Sequence, residues 1–159
     1  MLVDQAARAR AALPVRFASL CLAMPDADRI AALCARLRAP NDCRDLALLA
    51  QRESAAVDTS HTLDAAGLIA LIERCDGLRK PSRFEALLQA CAINAAVDGL
   101  PPDAAYAPQQ RLRAALTAAR AVPTDAIARQ AMADGKTGPQ VGAVIHAARV
   151  AAVAALTAG

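Results

Sequence analysis

Apolar side chains recur along this chain at spacings of three and four with charged residues between them, and the pattern predicts a succession of helices. The clearest run covers residues 78–97, where Phe84, Leu87, Leu88, Cys91 and Ala95 fall on one stripe. Pro81 suits its first turn, because a missing N–H costs nothing there, and Ser82 offers a capping hydroxyl nearby. Arg83, Glu85 and Gln89 flank the stripe, while Ala90, Ala92 and Ala96 keep the flanks small enough for neighbours to approach from more than one side. This segment is the expected centre of the core.

The other elements follow by the same logic. Residues 2–12 are Ala-rich and favour a helix, and residues 15–24 form a second that is nearly all apolar until Pro25. Asp26 is placed to cap a third, whose Ile30, Leu33, Cys34 and Leu37 lie opposite Asp28, Arg29, Arg36 and Arg38. Pro40 and Asn41 open a fourth with Cys43, Leu46, Ala47, Leu49 and Ala50 inward, and the polar interval 54–62 reads as a loop. Thr62 and Asp64 precede a helix through Leu68, Ile69, Leu71 and Ile72 to Cys75, stopped by Gly77. Residues 98–103, Asp-Gly-Leu-Pro-Pro-Asp, mark a turn and predict a division into portions 1–98 and 99–159. Pro108 then opens a basic helix through Ala121, and Pro123 and Thr124 open a short one closed by Gly135. Gly138 and Pro139 begin the last, with Val141, Val144, Ile145, Ala148 and Ala152 on one face.

Composition sharpens this picture. Among 159 residues there is no Trp, one Tyr and two Phe, and alanine is abundant, so the expected fold is all-α with a thin core packed through Ala and Leu. The net charge of +3 is too small to announce a nucleic-acid partner, but it is unevenly spread. From residue 107 onward Arg111, Arg113, Arg120, Arg129, Lys136 and Arg149 are balanced only by Asp125 and Asp134, whereas the preceding residues carry a slight acidic excess. A basic C-terminal third permits a phosphate-bearing partner, although solvated helical surfaces often look the same.

Cys21, Cys34, Cys43, Cys75 and Cys91 are odd in number, include no Cys-x-x-Cys pair and mostly sit at apolar helical positions. They read as reduced core thiols of a cytoplasmic protein. The N-terminus lacks a signal pattern, and His146 and Arg149 interrupt the apolar C-terminal run, so no membrane segment is expected.

Candidate chemistry is sparse. A metal site needs several converging ligands, and His61 and His146 have no partners at ligand spacing, so neither a metal nor another cofactor is expected. No Gly-x-Ser-x-Gly elbow is present, and Ser60-His61 has no orienting group, so no catalytic residue is assigned. Lys136-Thr137-Gly138-Pro139 places a cation and a hydroxyl before a helix start that attracts anions, although the order of a P-loop is absent.

Five collinear segments carry a family resemblance. Leu13-Pro14-Val15-Arg16-Phe17-Ala18, Arg38-Ala39-Pro40-Asn41-Asp42-Cys43-Arg44-Asp45-Leu46-Ala47-Leu48-Leu49, Arg79-Lys80-Pro81 with Arg83-Phe84, Tyr106-Ala107-Pro108-Gln109, and Gly138-Pro139-Gln140-Val141-Gly142 through His146-Ala147-Ala148-Arg149 resemble bacterial CCA-adding tRNA nucleotidyltransferases that carry an HD domain. The resemblance spans nearly the whole chain. It implies an HD-domain-like helical bundle over 1–98 with a basic C-terminal helical extension over 99–159. The family's nucleotide-adding head would precede Met1, so no CCA-adding residue carries over. The HD motif's ligands are also missing: the segment from Phe17 runs straight into Asp26 without the His-Asp pair, and Ser54 stands where such relatives tend to place another His. The resemblance therefore implies a non-catalytic helical portion of the enzyme with at most weak tRNA binding through Arg111, Arg113, Lys136 and Arg149. A catalytic head or another protein is a further implied partner. The alternatives are a helical protein-interaction module without RNA binding and an HD phosphohydrolase with rearranged ligands.

Overall fold

A computed structural model describes residues 11–101 and 104–157. Among them are eight α-helices, one 3-10 turn and no strand, which makes the fold all-α. The expected helix over 2–12 falls almost wholly outside the described residues.

Helix α1 spans Leu13–Cys21, with Pro14 in its first turn. It ends three residues before the sequence pattern suggests, and Met24 closes the turn by donating its N–H to the Cys21 carbonyl. Helix α2, Ala27–Leu37, is capped as expected: the Asp26 carboxylate accepts the Arg29 N–H at 2.8 Å. Ile30 and Cys34 of its stripe are buried, but Leu37 is exposed because the helix ends there and Arg38 turns left-handed at φ +50.

Helix α3 spans Asn41–Asp58, and a 3-10 turn follows at Ser60–Thr62. The loop expected over 54–62 is therefore a correction. Val57 is fully buried and extends the stripe of Leu46, Leu49 and Ala50, so packing carries the helix through a stretch whose exposed side is polar. Thr59 then caps it, its hydroxyl donating to the Ala55 carbonyl at 2.8 Å.

Helix α4, Ala65–Arg74, starts on Asp64, whose side chain accepts the Gly67 N–H at 2.8 Å. It buries Leu68, Ile69, Leu71 and Ile72. Asp76 reverses the chain in the left-handed region at φ +57, and Gly77 closes the turn with its N–H on the Ile72 carbonyl at 2.8 Å. Helix α5, Pro81–Val97, buries Phe84, Leu87, Leu88 and Cys91 as expected, and Ala90 and Ile93 widen the buried face. It packs on α1 and α3, and α3 in turn packs on α1, α2 and α5. The core is thus built around a pair of helices.

Gly99 takes a left-handed φ of +109 where the chain leaves α5. Helices α6, Ala107–Ala121, α7, Thr124–Ala133, and α8, Gly138–Thr157, follow. Helix α6 packs on α4 and α5, and α8 packs on α4, α6 and α7. Leu112, Ala115 and Ala119 of α6 and Val153 of α8 join the same core as Phe84. By length and composition α8 could cross a bilayer, with a mean hydropathy of 1.4 over Gly138–Leu156, so His146 and Arg149 interrupt it less than expected. It packs on three neighbours, yet only 11 % of that stretch is buried.

Candidate nucleic-acid interface

The four cations expected to meet RNA stand in different local settings. Arg111 and Arg113 lie two residues apart on α6, about 200° around a helix with 3.6 residues per turn, and so serve different neighbours. Arg111 donates from Nη2 to the Leu63 carbonyl at 2.9 Å, tying α6 to the chain just after the 3-10 turn. Arg113 forms a two-pronged ion pair with Glu85 of α5, with Nε 2.8 Å from Oε2 and Nη2 on Oε1. The hydrogen bond to Glu85 raises the Arg113 pKa against an opposing desolvation. The pair stands at the rim of a cleft of about 470 Å³ that also includes Gln89, Ile93 and Tyr106.

Lys136 follows α7 in the turn closed by Gly135, its Nζ 3.9 Å from an Asp134 oxygen. Beside it Gln140 reaches back to accept the Thr137 N–H at 2.9 Å, which is half of a capping box. One amide at this helix start is therefore already satisfied by the protein. Arg149 is half-buried on α8, and its Nε meets no acceptor. One turn earlier His146 Nδ1 lies 3.2 Å from Glu73 Oε1 and links α8 to α4.

A second group of cations, unassigned by sequence reasoning, converges. Glu53 of α3 is 2 % exposed, and its two carboxylate oxygens accept Arg52 Nε and Arg74 Nε at 2.8 Å each. Arg83, at the start of α5, donates to the Cys75 carbonyl at 3.2 Å and lies 3.9 Å from Asp76. Arg79 and Lys80 approach the same Asp76 at 3.7 and 3.8 Å. Arg52, Arg74 and Arg83 all act on the Cys75 thiol, whose pKa is nonetheless pushed up to about 12, first by burial and then by Glu53. Arg52 and Arg83 also line one cleft of about 340 Å³ together with Asp45, Leu48 and Leu49. The sequence held a signal for this group. Glu53 continues the spacing of Leu46, Leu49 and Ala50 onto the buried face, and a carboxylate there requires cationic partners.

Among the described residues no three His, Cys, Asp or Glu side chains gather as a metal site. His61 is exposed on the 3-10 turn. All five cysteines are free and buried.

The chain is similar, over nearly all of its length, to proteins named multifunctional CCA protein. It is 41 % identical to the one from Variovorax paradoxus, covering 98 % of this chain and 42 % of that protein. Identity to the Verminephrobacter eiseniae protein is 44 %, covering 97 % of the chain and 42 % of the relative. The Burkholderia multivorans protein is 42 % identical, with 97 % and 41 % covered. The chain thus spans about two fifths of the length of these relatives. No family model matches it, and no solved structure matches it.

Proposed function

We propose, from the premise that this chain is homologous over nearly its whole length to one region of the multifunctional CCA proteins, that it is a non-catalytic helical portion of a tRNA nucleotidyltransferase that helps hold tRNA. The observation that carries the reading is about 40 % identity across the chain against two fifths of each relative. Its side-chain chemistry agrees. Ser54 stands where the resemblance calls for an HD histidine, and on this reading the chain supplies cations and a scaffold. CCA addition then belongs to a catalytic head, either in a longer protein or in a partner chain, and the setting is the cytoplasm.

Arg111, Arg113, Lys136 and Arg149 are the proposed tRNA contacts in the portion 99–159, and the portion 1–98 is the degenerate HD-type bundle. Helical RNA is held chiefly through backbone shape and charge, so these cations need not read sequence. Lys136 sits in a turn with only a 3.9 Å approach to Asp134, a looser pairing than the 2.8 Å contact of Arg113 with Glu85. Filter binding of tRNA across a salt series tests the reading, with a folded non-tRNA RNA as control. Lys136→Ala should reduce the magnitude of the log-affinity against log-salt slope by about one. Absence of tRNA binding at low salt would favour the protein-interaction reading instead. That reading has one observation in its favour, the run of small exposed residues Ala143, Ala147 and Ala151 along the outside of α8.

A further inference from the structure

We infer that the cleft between α3 and the start of α5, floored by Leu48 and Leu49 and flanked by Arg52 and Arg83, seats a backbone phosphate of RNA. The inference rests on the tRNA reading above but places a contact in the other half of the chain. Three features of the cleft carry it. Glu53 fixes Arg52, which lines the cleft, and Arg74, which shares the same carboxylate, through their Nε atoms, and so holds both guanidinium planes in place. An anion arriving there meets donors that are already ordered, so little side-chain freedom is lost on binding. Arg83 lines the same cleft, its side chain 30 % exposed and steadied by the Cys75 carbonyl, which accepts its Nη2 at 3.2 Å. Charge agrees as well: around the cleft Glu53 and Asp76 are outnumbered by Arg52, Arg74, Arg79, Lys80 and Arg83, and Asp45 is the carboxylate in the lining itself.

The layout favours a polyanion over a free phosphate ion. Arg52, Arg74, Arg79 and Lys80 are each more than half exposed, so the cations form an open strip rather than an enclosed cage. A strip suits successive phosphates of a chain, because each contact adds to the release of condensed counterions.

The test uses the full chain, tRNA and inorganic phosphate. Arg52→Gln and Arg83→Gln should each lower the magnitude of the salt slope for tRNA by about one, and Arg52→Gln leaves Glu53 its Arg74 partner. Because Arg83→Gln could disturb the turn around Cys75, the unmodified protein is also treated with phenylglyoxal, which reacts with accessible guanidiniums. Mass spectrometry should find Arg52 and Arg83 shielded by tRNA. If tRNA binds and Lys136→Ala alters its slope while both arginines stay reactive and their variants unchanged, the cleft is overturned and the tRNA reading stands. Shielding by inorganic phosphate with no tRNA bound overturns RNA as the source, together with the tRNA reading. Shielding by neither overturns the cleft as a phosphate site.

Discussion

The carboxylate of Glu53 accepts Arg74 Nε at 2.8 Å across 21 residues of chain, and it does so from a position only 2 % open to solvent. The two partners are not equivalent. Arg74 is 52 % exposed and can regain water when Glu53 is removed, whereas Glu53 cannot when Arg74 is removed. Arg74→Ala should therefore cost about 2 kcal/mol, while Glu53→Met should change stability by less than about 1 kcal/mol, since an apolar side chain of similar size replaces a buried ion. Urea unfolding of both variants measures the asymmetry, and equal losses would mean that the carboxylate is held by something other than its arginines.

Tyr106 donates its hydroxyl to the Asp58 carboxylate, tying the start of α6 to the end of α3. Removing the hydroxyl in Tyr106→Phe should cost about 1–2 kcal/mol. Burial, and after it the bond to Asp58, raises the phenol pKa well above its usual value of 10. Because the unfolded phenol ionises more readily than the folded one, the stability this contact contributes is full below about pH 10 and is lost as pH rises beyond it. As the chain has a single tyrosine, absorbance at 295 nm reports it alone. Tyrosinate should appear together with loss of the helical circular dichroism signal, and a separate ionisation in the folded protein near pH 10 would contradict the buried contact.

The thiols make a parallel prediction. Burial first, with Cys34 second, raises the Cys21 pKa to about 11, and burial raises Cys43, Cys75 and Cys91 as well. Ionisation is easier in the unfolded chain, so stability present below pH 9 should decline between pH 9 and 11. At pH 8 the native protein should react slowly with a disulfide reagent and release all five equivalents only in denaturant. Rapid reaction of even one thiol would show that part of the core opens.

Two helix ends should respond oppositely to changes in side-chain size. Arg38 holds a left-handed φ of +50, a conformation that glycine adopts without strain, and Arg38→Gly should stabilise by up to about 1 kcal/mol. At Gly77 an added Cβ would lie 3.1 Å from the Ile72 carbonyl oxygen and from the Phe84 ring. Gly77→Ala should therefore destabilise by about 1–3 kcal/mol. Thermal unfolding of the two variants gives the signs directly.

The sequence by itself determined the helices. Asp26 and Asp64 are caps because a short carboxylate beside a helix start has amides to accept, a local fact that needs no tertiary contact. The stripe of Phe84, Leu87, Leu88 and Cys91 was legible for the same kind of reason, since its period is fixed by the helix itself. The collinear segments were legible too, and the near-full-length similarity to multifunctional CCA proteins agrees with them. What the local pattern could not decide was where packing prolongs a helix: Val57 draws α3 through residues that read as a loop, because burial outweighs weak propensity. Nor could it decide which cations meet one another. Arg113 was selected from a count of charges, yet the fold sets it against Glu85. Arg52, Arg74 and Arg83 lie in three separate stretches of sequence, and only the packing of α3 against its neighbours, with one buried carboxylate to hold two of them, brings them together. Charge acts through space, and distance in space is set by tertiary structure.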